Sequence, residues 1–181
     1  AEMVRYKHGD MKHLESVIEK LPADAGKLIV TDGVFSTSGS VVDLPEIVRI
    51  AKKFNAKIMV DDAHATGVVG VGGRGTASKF GLTKDVDITM GTFSKSFASL
   101  GGFIAASRSV VNYIKHHSPA LIFSASPTPA SVAAALAALE VIEEHPELIE
   151  KLHYNANKVR TGLRALGFNV VGEPETGIVS V

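Results

Sequence analysis

The stretch Lys57-Ile-Met-Val-Asp-Asp-Ala-His64 decides the fold of this chain. Its first four residues are mainly apolar and predict a short buried strand, and polar residues follow directly where that strand ends. The preceding segment, 43–55, has helical periodicity and opens with Asp43-Leu-Pro-Glu46, which has capping-box chemistry. A helix that leads into a short buried strand is typical of α/β proteins.

The same alternation continues along the chain. The patterns predict strands at 27–31, 57–60, 85–90, 102–106 and 168–171, with another beginning at 178. They predict helices after the N-cap Asp10 and at 43–55, 110–116, 130–144 and 146–166. Short apolar strands without polar alternation indicate a mainly parallel sheet that is covered on both faces. The alanine-rich stretch from Ser131 to Val141 is interpreted as a buried helix.

A change of pattern near Glu144–Pro146 predicts two parts. Residues 1–145 belong to a large α/β domain, and residues 146–181 form a linking helix and the start of a smaller α+β domain. The first residues contain neither an initiator methionine nor the apolar segment of a signal peptide, so we expect a fragment or a processed chain.

Composition argues against several classes of function. The 181 residues contain 19 basic and 19 acidic side chains, so charge gives no indication of a nucleic-acid partner or of binding to an anionic membrane. The absence of cysteine excludes disulfides, thiolate metal ligands and cysteine nucleophiles, and it agrees with a cytoplasmic location. No apolar run has the length of a membrane span, so we expect at most peripheral contact with membranes.

Three polar clusters follow predicted strands, at 32–36, 61–64 and 92–95. Open α/β sheets bind ligands beyond the carboxyl ends of their strands, so the three clusters are expected to converge. Together they supply what pyridoxal phosphate (PLP) needs. Lys95 offers an amine for the aldehyde, Asp61 a carboxyl group for the pyridine nitrogen, and His64 a further hydrogen-bonding group; the hydroxyls of Thr92 and Ser94 suit the phosphate.

Each residue alone has a simpler interpretation. A lysine in a loop of this kind is usually solvated, so Lys95 alone would be interpreted as a surface residue. An aspartate at a strand end, such as Asp61, is more often a helix cap or a loop anchor. The glycine-rich loop 70–75 lacks the spacing and the following helix signal of a phosphate-binding loop. A metal site from Asp61, Asp62 and His64 is disfavoured because adjacent residues on a strand point to opposite faces.

Taken in order, several stretches resemble the α-oxoamine synthase family of fold-type-I PLP enzymes, and the ordered set covers most of the chain. They are Asp32-Gly-Val-Phe-Ser36, Val60-Asp-Asp-Ala-His-Ala-Thr-Gly67, Gly73-Arg-Gly75, Gly91-Thr-Phe-Ser-Lys95, Gly101-Gly-Phe103 and Phe123-Ser-Ala-Ser-Pro127. The stretch 91–96 is most similar to serine palmitoyltransferases. The stretch 61–67 is more similar to 8-amino-7-oxononanoate synthases and 2-amino-3-ketobutyrate CoA ligases. The serine palmitoyltransferase-like assignment is slightly favoured.

The resemblance implies a role for each matching residue. Lys95 would form the Schiff base with PLP and move the substrate proton, Asp61 would bind the pyridine nitrogen, and His64 would bind the phenolic oxygen. Ser36 matches a serine that contacts the cofactor, and Thr92 matches a threonine that binds the phosphate.

Ser124 and Ser126 match a stretch that crosses to the partner's phosphate, which implies a homodimer with the active site at the subunit interface. Ala125 stands where relatives often carry a hydroxyl, and it weakens that match.

The implied reaction is acyl transfer. An amino acid loses its α-proton, attacks an acyl-CoA and gives a 2-amino ketone, usually with loss of carbon dioxide. The family has longer chains, so we do not expect activity from these residues alone. Two alternatives remain open: a fold-type-I aminotransferase, and a non-catalytic subunit that only dimerises with an active partner.

Overall fold

A four-stranded mixed sheet lies at the centre of the computed structural model, which describes residues 2–181. Strands β1 (Leu28–Asp32), β2 (Lys57–Asp61) and β3 (Ile88–Thr92) are parallel, and β4 (Gly102–Ala106) pairs with β3 in the antiparallel sense. A parallel return would need a crossover of about a dozen residues or more, and the loop between β3 and β4 is shorter. The predicted α/β class with a mainly parallel sheet is confirmed.

Seven α-helices of residues 2–181 surround or follow the sheet. They are α1 (Met11–Glu19), α2 (Leu44–Lys53), α3 (Thr76–Lys79), α4 (Arg108–His117), α5 (Pro119–Ile122), α6 (Pro129–Glu144) and α7 (Glu147–Ala165), and a 3-10 turn covers Val71–Gly73. Asp10 caps α1 by accepting the His13 N–H at 2.8 Å, as predicted. Asp43 caps α2 through the Glu46 N–H at 3.2 Å, while the Glu46 carboxylate binds Arg49 instead of completing the box.

The core lies on one face of the sheet. Side chains from β1 and β2 point towards α1 and α2, where they are buried; the cluster includes Leu14, Ile18, Ile29, Leu44, Ile47, Ile50, Ile58 and Val60. On the opposite face, Leu28 and Val30 of β1 are about half exposed, at 51% and 52%. The expectation that both faces are covered is therefore wrong for these residues, because α1 and α2 pack on one side only.

Other details also differ from the predictions. Strand β3 begins at Ile88 and not at 85, since the Asp87 carboxylate accepts the Ile58 N–H at 2.9 Å beside the strand start. The predicted strands at 168–171 and from 178 are wrong, because this part of the chain contains only a single bridge between Val171 and Ser180.

The predicted burial of the alanine-rich helix is also wrong. Helix α6 forms where expected, but only Ala135 is buried, while Val132, Leu136 and Leu139 are substantially exposed. Hydrophobic periodicity detects an apolar helix, and burial additionally requires a neighbouring surface, which residues 2–181 provide for only part of α6. The same residues contain no helix that is both long and apolar enough to cross a membrane.

A buried guanidinium holds the C-terminal segment in place. Arg160 of α7 is 2% exposed and donates to the carbonyl oxygens of Thr176 and Ile178, each at 2.6 Å. Thr176 in turn contacts the carbonyl oxygen of Gly39, in the loop after β1. His153, also on α7, bonds to the Val68 carbonyl at 3.0 Å. Helix α7 and the segment after it are thus fastened to loops at the carboxyl ends of β1 and β2.

We expect Ile47→Ala to lower the free energy of unfolding by about 2–5 kcal/mol, since Ile47 is fully buried against the sheet and the substitution leaves a cavity. Urea denaturation followed by circular dichroism measures the change. Val71→Ala, at a side chain that is 73% exposed, serves as control and should stay within about 0.5 kcal/mol of the wild type. Equal effects of the two substitutions would contradict this packing.

Candidate functional site

Strand register gathers three polar side chains at one edge of the sheet. Asp32 pairs with Asp61, and Asp61 pairs with Met90, two residues before Thr92. Paired residues in neighbouring strands share a face, and so do residues two apart in one strand. The side chains of Asp32, Asp61 and Thr92 therefore lie on the same face, opposite the main core, at the carboxyl edge of the parallel strands.

A tight turn follows Asp61 and carries His64. Asp61 Oδ1 accepts the Ala63 N–H at 2.9 Å, and the carbonyl oxygen of Asp62 accepts the Thr66 N–H at 2.8 Å and the Thr66 hydroxyl at 2.9 Å. These bonds leave Asp61 Oδ2 for another donor and fix the backbone on both sides of His64. The side chain of His64 is only partly buried.

Lys95 lies in the closed loop that joins β3 to β4. Phe93 N–H donates to the Gly101 carbonyl at 2.9 Å, and Ser99 N–H donates to the Phe93 carbonyl at 2.7 Å. Ala98, whose N–H bonds to the Lys95 carbonyl, has the left-handed φ of 48° that this tight loop requires. Lys95 itself is exposed, and within residues 2–181 its amine has no hydrogen-bond or ion-pair partner. The amine is therefore available to a ligand.

Two hydroxyls and one N–H cluster beside Lys95. Thr92 Oγ1 donates to the Gly101 carbonyl at 3.0 Å and lies 2.8 Å from Ser94 Oγ, and the Ser94 N–H points to the Thr92 oxygen at 3.2 Å. Because the single Thr92 hydroxyl proton goes to Gly101, the Ser94 hydroxyl donates to Thr92. Hydroxyl and N–H groups of this kind can bind a phosphate once they exchange these internal bonds for a ligand, and the phosphate contact of Thr92 stays a prediction.

The charges of four residues are coupled at this edge. Burial lowers the pKa of His64, and the nearby Lys95 ammonium lowers it further, while Asp32 and Asp61 oppose that change. Burial raises the pKa of Asp32, and repulsion from Asp61 adds to the rise. Such coupling weakens with distance, so Lys95, Asp61 and His64 lie near one another at this edge, and the cofactor roles expected of them stay predictions. Asp32 lies near the same three residues.

Ser96 connects the Lys95 loop to the His64 turn. Its hydroxyl donates to the Thr66 carbonyl at 2.6 Å. Gly67 makes this approach possible, because a Cβ at that position would lie 2.6 Å from Ser96 Oγ, and its φ of 79° favours glycine. One hydrogen bond thus fixes the residue after the lysine against the turn that carries the histidine.

The remaining predicted residues are not brought into these contacts. Ser36 is exposed in the turn after β1. Ser124 donates to the Ala120 carbonyl, and Ser126 is exposed on the segment between α5 and α6. That segment passes the Lys95 loop, since Pro127 Cγ lies 3.9 Å from the Cβ position of Gly101. Their cofactor contacts stay predictions.

Sequence reasoning gave no role to Asp32 and Ser96. The sequence did contain a signal for Asp32, because this residue ends a predicted strand just before a glycine. In the structure Asp32 pairs with Asp61 of the neighbouring strand. The contact of Ser96 spans thirty residues and leaves no local pattern. The glycine-rich loop also differs from expectation, since the short helix α3 follows it; the first N–H of α3 binds the Asp62 carboxylate at 2.9 Å.

A mainly parallel sheet with polar side chains gathered at its carboxyl edge matches the fold of the PLP-dependent transferases. The family model for aminotransferase class I and II matches residues 1–181, and the chain belongs to that family.

Similar proteins are known in sequence and in structure. Serine palmitoyltransferase from Sphingobacterium spiritivorum is 49% identical over 181 residues, which are 100% of this chain and 45% of that protein. The structure of serine palmitoyltransferase from S. paucimobilis with a bound PLP–myriocin aldimine superposes with a TM-score of 0.95 at 35% identity, covering 100% of this chain and 47% of that one. For 8-amino-7-oxononanoate synthase from Francisella tularensis the TM-score is 0.80 at 26% identity, covering 97% and 50%. The chain thus spans about half the length of these relatives.

We expect the pKa of His64 to lie below its ordinary value of 6.5 in the cofactor-free protein. Lys95→Gln should raise this pKa, because it removes a neighbouring positive charge, and Asp61→Asn should lower it further. Between the folded-state pKa and 6.5 the unfolded chain binds more protons, so the stability that His64 contributes is present above 6.5 and is lost as the pH falls. NMR titration of the ring protons measures the midpoint. Lys84→Gln is the control, and an identical shift in that variant would contradict the coupling.

We expect Ser96→Ala to lower the free energy of unfolding by about 0.5–1.5 kcal/mol and to change the His64 ring signals. Ser99→Ala is the matched control, since it also removes a hydroxyl that donates to a distant carbonyl, that of Ser131, at 2.7 Å. The control should lose comparable stability and leave the His64 signals in place. Unchanged His64 signals in Ser96→Ala would show that Ser96 does not connect the two loops.

Proposed function

We propose that the protein binds PLP through Lys95 and is a PLP-dependent acyltransferase. One observation supports the proposal: Lys95, Asp61 and His64 follow neighbouring strands at the carboxyl edge of the sheet, and the charges of Lys95 and Asp61 influence the pKa of His64. The donor set suits the cofactor. The Lys95 side chain is exposed, and its amine has no partner within residues 2–181. Asp61 Oδ2 accepts no hydrogen bond from these residues, and the hydroxyls of Thr92 and Ser94 lie close to the lysine in sequence. PLP, when bound, would supply an aldehyde and an electron-accepting ring.

Each residue then has a task that follows from its chemistry. Lys95 Nζ would hold the cofactor through its aldehyde and, when free, would accept the proton from the α-carbon of the amino acid. Asp61 Oδ2 would accept a hydrogen bond from the pyridine nitrogen and so favour its protonated form, and His64 would bind the phenolic oxygen. Thr92 would bind the phosphate, with Ser94 beside it. Ser36, Ser124 and Ser126 would complete the cofactor contacts, the last two across the subunit interface.

The reaction that we propose is condensation with an acyl-CoA. The α-carbon of the amino acid forms a bond with the acyl carbon, the thioester C–S bond breaks, and CoA leaves as the thiol. Loss of the carboxyl group as carbon dioxide then gives a 2-amino ketone. A serine palmitoyltransferase-like activity is favoured over that of an 8-amino-7-oxononanoate synthase, because the solved structures match with TM-scores of 0.95 and 0.80 respectively.

The proposal extends to organisation. We propose that residues 1–145 belong to the large PLP-binding domain and that residues 146–181 are the linking helix and the start of the small domain. The pattern change at Pro146, which precedes α7, supports this division. We also propose a cytoplasmic homodimer that binds an amino acid and an acyl-CoA, without nucleic acid.

The test uses the full-length protein with added PLP. We expect a visible absorbance band, and after borohydride reduction a phosphopyridoxyl group on Lys95 that peptide mass spectrometry locates. Lys95→Ala should abolish both signals, because no other amine takes its place. Lys84→Ala, at an exposed lysine away from the site, should retain both. Modification at another lysine, or none in the wild type, would contradict the assignment.

The reaction class is tested by following CoA release with glycine, alanine, serine and threonine, each with short and long acyl-CoAs. We expect CoA release that depends on both substrates and is lost in Lys95→Ala. Amino transfer to a keto acid without CoA release would identify an aminotransferase. Absence of bound PLP and of both activities in the full-length protein would favour a non-catalytic subunit.

A further inference from the structure

Asp62, next to Asp61, points into the protein instead of towards the site. It is 1% exposed, and its Oδ2 accepts the Thr76 N–H at 2.9 Å. Two glycines leave room for the carboxyl group. A Cβ at Gly33 would lie 2.1 Å from Asp62 Oδ1, and a Cβ at Gly75 would lie 2.2 Å from Oδ2. The carboxyl group of Asp62 therefore occupies the space between the loop after β1 and the start of α3.

Two oxygens in this space lack a well-formed hydrogen bond. Asp62 Oδ1 and Thr76 Oγ1 are both buried without a partner, and both lie within 2.2 Å of the Cβ position at Gly33. One hydrogen bond between these two oxygens would satisfy both at once. Burial raises the pKa of Asp62, and hydrogen bonds from Thr76 oppose part of that rise.

The backbone of Asp62 carries the turn that presents His64. The Asp62 carbonyl accepts the N–H groups of Ala65 and Thr66, at 2.9 and 2.8 Å. Any rotation of residue 62 would therefore move both the preceding Asp61 and the His64 turn. The buried side chain opposes such a rotation because its two oxygens are enclosed between two backbone segments.

We propose that Asp62 is a positioning residue for the cofactor site: its buried carboxyl group connects Gly33, Gly75 and Thr76 and thereby fixes the orientation of Asp61 and His64. The cofactor part of this inference rests on the proposed function. Asp62 itself contacts neither the substrate nor the cofactor in this role. Its effect passes through the backbone of 61–66.

The test compares three variants in the full-length protein. Asp62→Asn keeps an acceptor for the Thr76 N–H and a polar group that faces the Thr76 hydroxyl, so it preserves the buried contacts. Asp62→Ala removes both. Asp87→Ala is the matched control, because the Asp87 carboxylate, like that of Asp62, accepts a backbone N–H. Its donor is Ile58, near the start of β2 and remote from the site.

The first measurement is the pKa of His64 by NMR in the cofactor-free protein. In Asp62→Ala we expect it to rise towards 6.5, because a loosened turn exposes the ring whose burial lowers that pKa. Asp62→Asn and Asp87→Ala should keep the wild-type value. If Asp62→Ala does not fold, Thr76→Val replaces it and should shift His64 in the same direction. A shift in Asp62→Asn as large as in Asp62→Ala, or no shift in either Asp62→Ala or Thr76→Val, would overturn the proposal.

The second measurement is the yield of phosphopyridoxyl-Lys95 at limiting PLP. We expect a several-fold loss in Asp62→Ala, rescue in Asp62→Asn, and wild-type yield in Asp87→Ala. Equal yields in Asp62→Ala and Asp87→Ala would show that Asp62 is only structural. If the wild type itself gives no adduct, the proposed function fails, while the His64 measurement still decides whether Asp62 positions the turn.

Discussion

The alternation of side chains along β2 places two neighbouring carboxyl groups on opposite faces of the sheet. Asp61 lies on the open face with Asp32 and Thr92, and Asp62 lies inside against Gly33 and Thr76. Everything at this edge depends on that register. A slip of one residue would bury Asp61 next to the core and turn Asp62 outward. The parallel pairing of β1, β2 and β3 fixes the register over several residues on each side, so the site inherits its geometry from the most regular part of the molecule.

Three glycines near the site allow close contacts between the loops around it. Gly33 and Gly75 make room for the Asp62 carboxyl group, and Gly67 makes room for Ser96. A side chain at any of the three positions would separate two loops that meet at the site. The glycine-rich loop 70–75 thus packs against Asp62 on the side away from Asp61. The first N–H of α3, which follows this loop, donates to the Asp62 carboxyl group. This N–H is therefore not free to bind a ligand.

Sequence patterns predicted what local chemistry determines. Strand ends at Asp32 and Asp61, and the caps at Asp10 and Asp43, follow from neighbouring residues and agree with the structure. Contacts between distant segments were not predicted, and the Ser96–Thr66 bond is an example. The exposure of α6 was missed for a different reason, since periodicity reports that a face is apolar and says nothing about what covers it. Asp32 was predicted in part: the sequence located it at the end of a strand, but it did not show that Asp61 pairs with it.

The openness of the site follows from the same arrangement of faces. The core helices pack on the face away from Asp61, so Val30 and Ile104 on the site face remain exposed, and a groove of about 590 Å³ between β3, β4 and α4 lies beside Thr92. A reactive amine in water gains little from neighbouring charges, because solvent weakens their influence. The charge coupling around Lys95 would strengthen if further protein covered this face. Since these 181 residues span only about half the length of their relatives, we propose that the full-length chain or a second subunit supplies that cover.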